Sequence, residues 1–155
     1  GKLAAGPDAD FSQIANGLPG LETRLPLLFD AMVTQGRGGP LAFADITART
    51  PAQLYGLPGK GAILPGMDAD LVIWNPETER TYGADDLHDN VGYNPWEGRR
   101  LRGWPERVLL RGETLAAGSD FAGTPGGGRW LHRPEIGCRP GQQGAAPARE
   151  AEAEA

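Results

Sequence analysis

His88 and His132 are the only histidines in this 155-residue chain, and they stand far apart. A hydrolytic metal centre needs His and carboxylate ligands gathered around one or two ions. No His-x-His pair and no His-Glu-x-x-His helix motif is present. The one local grouping with suitable residue types is His88 with Asp85, Asp86 and Asp89. It could make a self-contained zinc site, but such a cluster is more often a solvated turn, with both histidines as surface or packing residues. Cys138 would need a His base and an electropositive setting to act as a nucleophile. It lies among Pro and Gly and reads as a bystander thiol. Gly123-Thr124-Pro125-Gly126-Gly127-Gly128 lacks the Lys-Ser/Thr that completes a phosphate loop, and no helix signal follows it.

Asn16-Gly17-Leu18-Pro19-Gly20-Leu21-Glu22-Thr23-Arg24 has a different character. A rigid loop carries two glycines that would let the backbone approach a ligand, and it ends in a Glu/Arg pair at the mouth of a helix. On spacing alone the simpler reading is an ordinary loop-to-helix junction, with Glu22 favouring the positive helix start.

These residues must be placed by the elements around them. Leu21, Leu25, Leu28, Phe29 and Met32 recur at three- and four-residue spacing, so the sequence predicts a helix over 21–35 with that face buried. Pro26 inside it suggests a first-turn position, with the regular helix starting later. A second helix is expected from Pro40, on the stripe Leu41, Phe43, Ile46 and Thr47. A short third one runs from Ala52 to Tyr55, with Thr50 and Pro51 as cap and first-turn pair and Gly56 as stop. Beyond Gly56 the period changes. Leu71-Val72-Ile73-Trp74 reads as a buried strand, Glu79–Tyr82 as another, and Arg107–Arg111 pairs with Thr114–Ala117 across Gly112-Glu113 as a hairpin. Trp96, Trp104 and Trp130 lack interleaved basic patches and read as core or interface packing. Gly123–Gly128 reads as a flexible loop, and 141–155 as a low-complexity, disordered tail.

Composition narrows the partners. A net charge of −5 argues against nucleic acid or an anionic membrane surface. No stretch approaches the roughly 20 apolar residues of a membrane span. The opening residues lack the apolar core of a signal peptide. A single cysteine makes no intrachain disulfide, which fits a reducing cytoplasm. With 24 Gly and 14 Pro the chain is turn-rich, and its length allows one domain or pieces of two.

One segment carries more information than the rest. Lys60-Gly61-Ala62-Ile63-Leu64-Pro65-Gly66-Met67-Asp68-Ala69-Asp70-Leu71-Val72-Ile73-Trp74 is a glycine turn, an extended piece, a Pro-Gly turn and a strand. It resembles the point where metal-dependent amidohydrolases leave their catalytic barrel and re-enter a small β-sandwich. The segment from Asp10 to Phe29 resembles the stretch after the last metal ligand in cyclic-amide hydrolases, the dihydropyrimidinase and D-hydantoinase group, with allantoinase and dihydroorotase as relatives. Thr50–Leu57 continues the likeness. Asn90-Val91-Gly92-Tyr93-Asn94-Pro95-Trp96-Glu97-Gly98 favours hydantoinases and dihydropyrimidinases, and Gly126–Arg133 resembles their closing tail.

The resemblance implies a C-terminal portion of an α/β, TIM-barrel amidohydrolase. Residues 1–57 would close the metal-dependent barrel and 58–133 would supply part of the β-sandwich and a closing segment, with 134–155 as the tail. It implies a zinc-dependent opening of cyclic amides or ureides, hydantoins or dihydropyrimidines, to N-carbamoyl amino acids. The two zinc ions would be held by residues preceding Gly1, none by this segment, since Asp8 and Asp10 do not match the family's Asp ligand. Without those ligands the segment alone is expected to be inactive. No catalytic residue is carried over. Asn16 would meet the substrate through its backbone, with Gly17 as a second position in that loop, and Ala15 stands where many relatives have Pro. A homo-oligomer, dimer or tetramer, is implied for the complete enzyme. An allantoinase- or dihydroorotase-like hydrolase, a non-catalytic scaffold of the same fold, and an independent β-rich binding module remain alternatives.

Overall fold

The computed structural model describes residues 7–13, 17, 19–89 and 91–133. Asn16, Cys138 and the 134–155 tail therefore lie outside the described residues. A 3-10 turn at Phe11–Gln13 precedes helix α1 (Leu21–Phe29), which runs into a π-helical turn at Asp30–Thr34. Helix α2 (Gly39–Ala44) passes through a second π turn, Asp45–Arg49, into α3 (Thr50–Leu54). Four strands follow, β1 (Leu71–Thr81), β2 (Arg100–Leu110), β3 (Glu113–Ala117) and β4 (Asp120–Phe121), with a 3-10 turn at Ala84–Asp86 between the first two. They form one sheet in the order β1-β2-β3-β4. β3 and β4 are antiparallel, Ala116 opposite Phe121 and Ala117 opposite Asp120. The chain divides into two compact units, Gly1–Phe43 with Val72–Arg107, and Ala44–Leu71 with Val108–Ala155.

In the first unit an aromatic cluster forms the core. Phe29 stacks on Trp74 at 4.3 Å, and Phe43 stands edge-on to both. Gly103 has φ +95, and a Cβ there would run into the Phe29 ring, so only glycine lets β2 pass this close. The π turn is tied to β2. Asp30 Oδ1 accepts the Arg102 N–H at 3.2 Å, and Thr34 Oγ1 donates to the Arg102 carbonyl at 2.8 Å. Gln35 Nε2 donates to the other oxygen of Asp30 at 2.6 Å, so this buried carboxylate is well supplied with donors. Across β1 and β2, Glu77 pairs with Arg102 and Glu79 with Arg100.

Several expectations change here. Regular helix begins at Leu21 and Pro26 is interior and buried, not a first-turn residue. The buried line is Thr23, Pro26, Phe29 and Asp30, while Leu21 is 88% exposed. The Phe29 stack sets the helix rotation, and Leu21 falls outside it. The expected strands at 71–74 and 79–82 merge into one, running through Asn75-Pro76. A proline there suits β1 at the sheet edge. Val72 and Ile73 are 39% and 49% exposed, so the apolar run is only partly covered by the described residues, not buried. Trp104 packs edge-on to Tyr82 at 5.1 Å, with the Arg80 guanidinium over the Trp104 ring at 4.9 Å, whereas Trp130 is exposed.

In the second unit the Lys60–Asp70 segment is a staple. Lys60 Nζ pairs with Asp68 at 2.9 Å and with Asp70. Gly61, at φ +85, sits where a Cβ would come 2.5 Å from the Ala52 Cβ and 3.0 Å from the Ala48 carbonyl oxygen. Asp70 Oδ1 accepts the Arg111 N–H at 2.8 Å, and the Gly112 N–H donates to the Ala69 carbonyl at 2.9 Å. The hairpin turn is Arg111-Gly112, with φ of 51 and 87, one residue earlier than expected. Both central residues have the positive φ of a type I′ turn, whose twist matches the strands. Burial alone would lower the Lys60 pKa, but the bonds to Asp68 and Asp70 outweigh it and raise it. Burial alone would raise the Asp70 pKa, but Lys60 and the Arg111 N–H bring it below its ordinary value.

Thr50 is not a cap. Its backbone is helical, φ −60 and ψ −46, and its hydroxyl donates to Asp45 Oδ2 at 3.1 Å, so the helical path runs through it. Gly123–Gly128 is a built turn, not a free loop. An Arg111 guanidinium N–H donates to the Gly127 carbonyl at 2.6 Å, and the Gly127 N–H donates to the Thr124 carbonyl.

Candidate functional site

The loop-to-helix junction before α1 belongs wholly to the first unit. Gly20 is the N-cap, supplying its carbonyl to the Arg24 N–H at 2.9 Å without a side-chain cap. Its φ of 174 lies outside the left-handed region. Gly17 is exposed, lies outside the left-handed region, and a Cβ added to it would meet nothing within 4 Å among the described residues. A left-handed backbone therefore requires glycine at neither position. Beside Gly17 the space is open among the described residues, while Gly20 has Thr23 and the Trp96 ring at contact distance.

Three residues from the stretch after β1 reach this junction. The Tyr93 hydroxyl donates to the Gly17 carbonyl at 3.1 Å. The Trp96 ring lies beside Gly20, 3.9 Å from where a Cβ would stand. His88 meets Glu22 twice: its backbone N–H donates to Oε2 at 3.0 Å, and Nδ1 lies 3.0 Å from Oε1. Glu22, at the start of α1, is thus paired with His88. Asn94 braces the stretch itself. Buried, it takes the Trp96 N–H on Oδ1 at 3.0 Å and donates through Nδ2 to the Tyr82 carbonyl at 3.4 Å.

Two buried hydroxyls lack a partner among the described residues, Thr23 Oγ1 and Tyr82 OH. Burial, and then the Glu22 carboxylate, push the Tyr82 phenol up to about 12. It stays protonated and can only donate or accept a hydrogen bond near neutrality.

Asp85, Asp86, His88 and Asp89 do not converge. Asp86 Oδ2 accepts the Gly83 N–H at 2.9 Å, Asp89 Oδ1 accepts the Val91 N–H at 3.0 Å, and His88 goes to Glu22. No group of three or more His, Cys, Asp or Glu among the described residues could hold a metal ion. His132 is exposed. These residues do not fit a zinc centre. The arrangement can hold a loop and present backbone donors and acceptors.

The sequence singles out Asn16, which lies outside the described residues, with Gly17 and Glu22, but not the residues that contact the last two. His88 and Glu22 are 66 residues apart, and Tyr93 and Gly17 are 76 apart. Opposite charge tendency was the only available signal for the first pair, and nothing signalled the second.

The chain is 46% identical over 125 residues to a D-phenylhydantoinase of Escherichia coli O81 (strain ED1a), covering 80% of this chain and 27% of that protein. Its fold matches the crystal structure of dihydropyrimidinase from Brevibacillus agri NCHU1002 with a TM-score of 0.76 and 40% identity, over 81% of this chain and 27% of that one. It matches an L-hydantoinase (dihydropyrimidinase) from Arthrobacter aurescens with a TM-score of 0.76 and 30% identity, over 80% of this chain and 28% of that one. No protein-family model matches. The chain spans about a quarter of the length of the relatives it matches.

Proposed function

We infer that this chain is a C-terminal portion of a hydantoinase- or dihydropyrimidinase-type cyclic amidohydrolase. The observation that carries the reading is the 46% identity held over 125 residues, supported by matching backbones in proteins named for the same activity. The reaction is hydrolysis of a cyclic amide or ureide, a hydantoin or dihydropyrimidine, to an N-carbamoyl amino acid. Residues 1–57 close a TIM-type barrel, and 58–133 belong to a β-sandwich flanking it. Two zinc ions supply Lewis-acid chemistry to the complete enzyme, held by residues other than those described here. The enzyme works in the cytoplasm as a homo-oligomer.

The segment's own part is positional. A ureide or imide edge offers an N–H beside a C=O, and backbone groups at Asn16 and Gly17 offer the complementary pair. Holding the ring this way fixes its reacting carbonyl relative to the catalytic centre.

The test is turnover by the complete, zinc-loaded protein, followed as N-carbamoyl amino acid released from hydantoin and from dihydrouracil. Turnover of at least one ring is expected, and none by the 155-residue segment alone. Failure on both rings at full metal occupancy would refute the reading and leave an allantoinase- or dihydroorotase-like hydrolase or a non-catalytic relative.

A further inference from the structure

We propose that His88, Tyr93 and Trp96 form a strap that fixes the Gly17–Glu22 junction, with Tyr93 and the Glu22–His88 pair acting as positioning residues for the substrate. This rests on the reading that the loop faces the substrate ring.

The contacts reach both sides of the junction. Tyr93 holds the Gly17 carbonyl, Trp96 lies against Gly20, and His88 takes both oxygens of Glu22 in the first turn of α1. None is local, since the hydrogen-bonded partners are 66 and 76 residues apart. Gly17 has no side chain, and a Cβ there would meet nothing within 4 Å among the described residues. Among the described residues, the bond from Tyr93 is what ties its carbonyl down. The strap is itself built, because Asn94 is buried and hydrogen-bonded at both ends of its amide. A loop fixed in advance spares the ordering entropy that substrate binding would otherwise cost. Loosening it should weaken substrate binding more than it slows the bond-breaking step.

The experiment uses the complete hydrolase at equal metal content, with hydantoin as substrate and kcat and KM measured separately. Tyr93→Phe deletes the hydroxyl with little change in shape, and KM should rise about fivefold with kcat within about twofold. Glu22→Ala should act the same way. Glu22→Gln should restore most of the loss, because its amide oxygen still accepts the His88 N–H. A merely structural role predicts another pattern: lower kcat from less folded enzyme, lower Tm and unchanged KM. That pattern, or wild-type KM in both Tyr93→Phe and Glu22→Ala, overturns the strap. Gly17→Val separates the two ideas. If it lowers kcat/KM while Tyr93→Phe is silent, the loop faces substrate and the strap is wrong. If both are silent, the substrate-loop reading itself fails.

Discussion

The Asp70 carboxylate accepts the backbone N–H of Arg111, 41 residues later, and Arg111 is the only non-glycine residue with positive φ among those described. An L side chain in that region is disfavoured by roughly 1–2 kcal/mol. The turn persists because the Asp70 carboxylate, the Ala69 carbonyl and the Gly127 carbonyl all receive its donors.

Asp70→Ala removes that acceptor and a partner of Lys60. A loss of about 1–3 kcal/mol is expected by denaturant unfolding, with Asp70→Asn losing less because its amide oxygen still accepts. The pH dependence gives the sign. The folded pKa of Asp70 lies below its unfolded value of 3.8, so its contribution is present above about pH 4 and is lost as pH falls through the folded pKa. Asp70→Asn should flatten that acid limb. An unchanged limb would show that other carboxylates govern it.

Gly103→Ala should destabilise by about 2 kcal/mol or more, since a methyl there meets the Phe29 ring as well as a positive φ. Gly98→Ala is the control: φ is +71, but space is open, so only the backbone strain remains. Equal losses in thermal unfolding would mean that the Phe29 ring yields freely.

Tyr82→Phe deletes a buried hydroxyl that has no partner among the described residues. Stability near neutral pH should be unchanged or rise by up to about 1 kcal/mol. In the parent the unfolded phenol ionises near 10 and the folded one near 12. The native state therefore holds more protons between those values, and stability falls as pH rises through that window. The variant should show a shallower alkaline fall. A parallel fall in both proteins would place the titration elsewhere.

Local chemistry was the legible part of this fold. The helix at Leu21, the strand at Leu71 and the Arg111 hairpin each announce themselves through periodicity or turn residues, although the hairpin register moved by one. Pro26 misled because a tertiary stack on Phe29 settles which helix face is buried. The candidate site divides the same way. The glycine loop is visible in sequence, while Tyr93 and His88 join it through contacts that only the folded chain brings together. Trp130 and the Val72-Ile73 face keep their apolar surface exposed among the described residues, so their packing could not be read here at all.

The staple also orders events in time. A hairpin with a favourable Asn-Gly turn can close within microseconds on local contacts. Here the tight corner takes Arg in its first central position and draws its stabilisation from Ala69 and Asp70 across a long closed loop. Loop-closure entropy must be met before those bonds form, which makes the corner a late step. Interactions that form after the rate-limiting barrier govern how quickly the native state is lost rather than how quickly it is reached. The Lys60–Asp70 segment is thus expected to slow the loss of the sheet's closing strands rather than speed their formation.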